Sequence, residues 1–73
     1  MAQRWVFQDV YINLGAAYSR LGRYPESLQA YRYGRNVNPA TTDFYDGLAA
    51  DYVATTDMGA AAVALLEKLA VSA

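Results

Sequence analysis

Two aspartates three positions apart, Asp43 and Asp46, are the residues best placed to do chemistry. On a helix that spacing puts both carboxylates on one face, where a pair can share a proton or hold a cation. Acids just behind a helix start are also commonly solvated and stabilised by the helix dipole, and this plainer account is preferred. The next candidate is the basic and aromatic run Tyr31-Arg32-Tyr33-Gly34-Arg35. Interleaved cations and rings are what nucleic-acid surfaces use. Helical spacing separates these, sending Tyr31 inward and leaving Arg32 and Arg35 together on the outer side, the usual pattern of a solvated face. Neither common glycine-rich phosphate loop is present. With no cysteine and no histidine, the familiar nucleophile–base pairs and the ligands zinc prefers are missing as well. The expectation is a non-enzyme that uses no metal and no other cofactor.

A chain of 73 residues makes one small domain. Such a chain buries only roughly 60% of its unfolded surface and usually needs disulfides, a metal or a partner subunit. Without cysteine or histidine, what remains is association, neighbouring protein or very regular helix packing. The net charge of −1 argues against nucleic acid, which calls for a strongly basic surface. Its distribution is uneven. Arg4, Arg20, Arg23, Arg32 and Arg35 against Asp9 and Glu26 give residues 1–38 a net +3. Lys68 against Asp43, Asp46, Asp51, Asp57 and Glu67 gives residues 39–73 a net −4. At 55% apolar and 14% aromatic the composition is that of a folded chain. No apolar run reaches the roughly 18 residues of a membrane span, and the first residues lack the apolar core of a signal peptide. The compartment stays open, with a soluble cytoplasmic setting as the default.

Four helices must position these residues. In the first, Phe7, Val10, Tyr11, Leu14, Ala17, Tyr18 and Leu21 recur at steps of three and four, with Trp5 extending it upstream. Leu21-Gly22 ends it, because glycine most readily takes the left-handed geometry past a helix end. The second opens at Pro25, where a missing N–H does no harm. It carries Leu28, Tyr31 and Val37 inward and stops at Asn38-Pro39. Thr41 or Thr42 caps the third, with Asp43 at the positive end of its dipole. Its stripe is Phe44, Tyr45, Leu48, Tyr52 and Val53. Thr55-Thr56-Asp57 breaks that helix and caps a fourth, over roughly 58–71, presenting Met58, Ala61, Ala62, Leu65, Leu66 and Leu69. No segment alternates with the period of two that a strand needs, so the chain is expected to be all-α.

The chain also repeats. Displaced by 34 positions, Asp9 meets Asp43, Tyr11 meets Tyr45, Leu14 meets Leu48, Ala16 meets Ala50 and Tyr18 meets Tyr52, without a gap. Ala30 likewise meets Ala64, and Val37 meets Val71. The stretch Tyr11-x-x-Leu14-Gly15-x-x-Tyr18, followed by Leu21-Gly22-Arg23-Tyr24, Tyr31 and Asn38-Pro39, resembles the tetratricopeptide repeat, a helix–turn–helix unit of 34 residues. Residues 1–7 then extend the first helix, 8–41 are the first copy and 42–73 a degenerate second. In the second copy Ala49 replaces the family's glycine and Ala73 its proline. Its last helix fits in two registers, one placing Lys68 at a normally small buried position and the other Leu69. The resemblance implies two helix–turn–helix repeats, four antiparallel helices in a short right-handed superhelical solenoid.

In that family the first helix of each repeat lines a groove that receives a peptide. Carried over by position, the resemblance implies a lining of Asp9, Ile12, Asn13, Ala16, Ser19 and Arg20 from the first copy. Asp43, Asp46, Gly47, Ala50, Val53 and Ala54 follow from the second. Arg20 is the lone cation there, so a carboxylate clamp is not expected. A basic or partly apolar peptide is, attracted by the three aspartates, unless these positions are ordinary surface. Arrays of this kind normally need about three repeats. The last helix carries no charge from Met58 to Leu66, more apolar surface than a soluble monomer leaves wet. The expectation is therefore a protein-interaction scaffold, either a piece of a longer array or a chain that self-associates through Met58, Ala62, Leu65, Leu66 and Leu69. Opposite charge on the two halves favours a head-to-tail contact, but a two-fold dimer through the last helices is the more usual solution and is preferred here.

Overall fold

Glycine, proline and threonine divide the chain where the helical spacing breaks. The computed structural model describes residues 3–72 along the backbone and side chains from Phe7 to Ser72, so Met1, Ala2, the Trp5 side chain and the repeat end at Ala73 lie outside it. It contains α1 (Gln3–Arg20), α2 (Tyr24–Val37), α3 (Thr42–Ala54) and α4 (Met58–Ser72), with no strand among the described residues. α1 packs on α2 and α3 on α4, two helical hairpins joined chiefly where α3 lies against α2 and α1.

The two hairpin turns are built alike. At the end of α1, the Arg23 N–H donates to the Tyr18 carbonyl at 2.9 Å and the Gly22 N–H to the Ser19 carbonyl at 3.0 Å, with Gly22 at φ 75°. Thirty-four residues later, the Asp57 N–H donates to the Tyr52 carbonyl at 2.7 Å and the Thr56 N–H to the Val53 carbonyl at 3.0 Å, with Thr56 at φ 61°. Both are six-to-one and five-to-two closures around a left-handed residue, which satisfy carbonyls that a helix end would otherwise leave unpaired. Asp57 then caps α4, accepting from the Ala60 N–H at 3.2 Å. Pro25 sits in the first turn of α2. Thr41 stands at the N-cap of α3 without capping it through its side chain. Its hydroxyl instead accepts from Gln8 Nε2 of α1 at 2.6 Å.

Aromatic rings meeting glycines set the helix spacing. A Cβ on Gly15 of α1 or on Gly47 of α3 would fall 2.5 Å from the Tyr31 ring, so that ring is held between two bare backbones. Gly34 of α2 receives Phe44 in the same way, at 2.1 Å. Around them Leu48, Ala49 and Ala64 complete the core. One charged side chain joins it. Asp51 of α3 is 1% exposed; the Ser19 hydroxyl of α1 donates to its Oδ1 at 2.9 Å, and the Ser27 hydroxyl of α2 lies between its Oδ2 and the Gly15 carbonyl oxygen, 2.8 Å away. Buried carboxylates persist only when bonded in this manner.

Several inward assignments change. Val37, expected inside, is exposed, as are Val53 of the α3 stripe and Val10, Leu14, Ala17 and Leu21 of the α1 stripe. The inner face of α4 consists of small residues, Ala61 and Ala64, rather than its leucines. These alanines stand 34 positions from the buried Ser27 and Ala30 of α2, which settles the register of the last helix. Lys68 is half-buried and reaches Asp46 at 2.8 Å, while Leu69 is exposed. α2 opens at Tyr24, one residue ahead of the expected proline.

Candidate docking surfaces

Each hairpin has a groove between its two helices. In the first, Tyr11, Leu14 and Tyr18 of α1 face Glu26, Gln29, Ala30 and Tyr33 of α2 around about 280 Å³. Phe7 closes one end, its ring 4.6 Å from Tyr11 and 5.7 Å from Tyr33. At the other end Arg23 lies 5.5 Å from the Tyr18 ring and pairs with Glu26 at 2.7 Å. In the second hairpin Tyr52 of α3 faces Ala60, Val63, Ala64 and Glu67 of α4 around about 250 Å³, and Arg35 of the first hairpin forms the remaining wall.

Arg32 is exposed, as its spacing suggests, and Arg35 is half-buried, but both also make contacts to the second hairpin. Arg32 donates to the Tyr52 hydroxyl at 2.7 Å and lies 5.8 Å from its ring. Arg35 pairs with Glu67 at 3.4 Å. Both cations of the basic-aromatic run are spent on the contact between hairpins.

Of the residues carried over as a peptide groove, Asp9, Asn13, Arg20, Asp43 and Ala50 are exposed, while Ile12 and Ala16 are half-buried, Ile12 against the core. Gly47 makes room for Tyr31, and Ser19 is bonded to Asp51. Asp46 turns to Lys68 rather than pairing with Asp43, and no group of three or more acids that could hold a metal occurs among the described residues. The self-association candidates fare differently. Met58, Ala62, Leu65, Leu66 and Leu69 are all exposed and lie on one helix. No family model, no curated protein and no solved structure matches this chain.

The aromatic groove of the first hairpin escaped the sequence reading, which placed Tyr11, Leu14 and Tyr18 in a helical stripe without a groove. The repeat itself carried the signal. Leu14 is 38% exposed and its counterpart Leu48 0%, because α3 packs against the first hairpin. No helix among the described residues is long and apolar enough to cross a membrane.

Proposed function

We propose that the chain is a non-catalytic, tetratricopeptide-like interaction scaffold that assembles through the two end faces of its hairpin stack. The observation that carries this reading is the exposed apolar row on α4, Leu65, Leu66 and Leu69, at one end, with the aromatic groove at the other. Contiguous apolar surface of this kind marks an interaction site, and a 73-residue chain with a thin core gains most from covering it. Repeated turns 34 residues apart and the glycine–aromatic contacts support the family likeness. Light scattering after size exclusion, over a hundredfold range of concentration, tests it. A mass that rises above 8.0 kDa is expected; a folded chain that stays at 8.0 kDa throughout overturns it.

The rival reading is a receptor for a basic or partly apolar peptide. Asp9 and Asp43 are exposed and fit it, whereas Asp46 already holds Lys68. Charge reversal at Asp43 separates the two: a receptor loses basic ligands, and a scaffold assembles unchanged.

A further inference from the structure

We infer that the partner is a second copy of this chain stacked head to tail, with its α4 against the groove between α1 and α2. This rests on the scaffold reading above and specifies its surfaces. The argument begins with the joint inside the molecule. There α2 receives the second hairpin: buried Tyr31 lies on Gly47, Arg32 bonds Tyr52, and Arg35 walls the second groove beside Glu67. Because both hairpins share their turns, the helix limits on either side of those turns and buried small residues at a displacement of 34, the outer face of α4 presents Leu65, Leu66 and Leu69 at the places of Tyr31, Arg32 and Arg35. The groove of the first hairpin presents Tyr18 and Tyr33 at the places of Tyr52 and Glu67.

The same joint made between two copies sets Leu66 on Tyr18 and Leu69 on Tyr33. In these two contacts both members have changed together, while Tyr31 on Gly47 maps to Leu65 on Asn13 and Gly34 under Phe44 maps to Lys68 beside Val10. A cation with its acid or hydroxyl partner inside the chain becomes an aliphatic side chain with an aromatic ring between chains. Neither contact leaves a charge buried without a partner, which is the usual obstacle to burying such a face. At the far side Ser19 and Asp51, bonded inside the chain, map to Val53 and Ala17, again apolar on both sides and both exposed. The groove and the row that would fill it thus belong to one sequence and continue an interface it already makes.

Charge selects the same arrangement. Residues 1–38 carry +3 and residues 39–73 carry −4, so head-to-tail stacking brings opposite hairpins together. The two-fold pairing through α4 favoured on sequence grounds would bring two −4 hairpins together and leave the aromatic groove uncovered. A head-to-tail contact is heterologous, and it continues in one direction unless its rotation closes a ring.

Two single variants test it, each blocking one end at an exposed position. Leu69, 63% exposed, becomes Leu69→Glu to block the tail, and Tyr33, 51% exposed, becomes Tyr33→Glu to block the head. Since Tyr33 touches Phe7 and Tyr11, Leu14→Glu serves as a second head variant, and circular dichroism confirms that each retains its helix. The native chain is expected to grow past a dimer with concentration, each variant alone to remain at 8.0 kDa, and an equimolar mixture of head and tail variants to stop at twice that mass. A head variant that still dimerises alone, or a mixture that stays at the monomer mass while the native chain assembles, overturns the head-to-tail contact and leaves the scaffold reading standing. A native chain monomeric at every concentration removes both.

Discussion

Tyr31 shows how much one side chain organises in a molecule this small. Its ring fills the space left by Gly15 and Gly47, so α1, α2 and α3 approach one another through it. Replacing a helical glycine by alanine usually gains up to about 1 kcal/mol. Gly47→Ala is expected to do the opposite, losing about 1–3 kcal/mol through overpacking, as read by urea unfolding. Its phenol is pushed above its ordinary value, first by burial and then by Asp51, with Arg20 opposing. The folded state therefore keeps that proton to higher pH than the unfolded chain does. Its contribution is complete below about pH 10 and is lost as pH rises through the folded value. Thermal midpoints measured from roughly pH 8 to 11 should fall at the alkaline end, less steeply in Tyr31→Phe. Asp51 acts at the same scale. Asp51→Ala strands the Ser19 hydroxyl, leaves Ser27 only the Gly15 carbonyl, and is expected to destabilise by about 1–3 kcal/mol, measured in the same urea titration. Nothing in the spacing of Asp51 distinguished it from the exposed Asp43 and Asp46; its burial follows from serines 32 and 24 positions away.

The elements were far more legible than their faces. Spacing of three and four marked all four helices, and Gly22, Pro25, Pro39 and Asp57 marked their limits, because these depend on residues near in sequence. Which side of a helix is covered depends on the neighbouring hairpin. Leu14 and Leu48 occupy the same place in the same pattern and differ only in what lies before them. On α4 likewise the apolar row divides, Ala61 and Ala64 facing inward while Leu65, Leu66 and Leu69 stay exposed. The turns supply a test at this scale. Thr56 holds the left-handed geometry that Gly22 holds in the first hairpin, and a residue with a Cβ is strained there by roughly 1–2 kcal/mol. Glycine relieves that strain but adds freedom to the unfolded chain. Thr56→Gly is expected to stabilise by up to about 1 kcal/mol, seen as a raised thermal midpoint, with the assembly state unchanged.

At the scale of the whole molecule, the Cα atoms span 39 × 31 × 13 Å, a slab with little interior. Fully buried large side chains are few, Phe44 and Leu48 foremost among the apolar ones, so covering an end face adds stability in proportion to what the core lacks. Association that requires the folded state raises the apparent stability by mass action. The thermal midpoint should therefore climb by several degrees over a hundredfold increase in chain concentration; a midpoint independent of concentration would mean that the hairpins hold by themselves. The surfaces responsible were half visible in the sequence: the apolar last helix stood out by composition, whereas its aromatic counterpart looked like ordinary core. Finally, α3 carries the helix-to-helix contact between the hairpins, and α4 packs on α3 rather than on α1 or α2. Tension applied between α1 and α4 must then pass through that one joint. Stretched in a force experiment, the molecule should give way there first, releasing the second hairpin as a unit and leaving each turn to yield later.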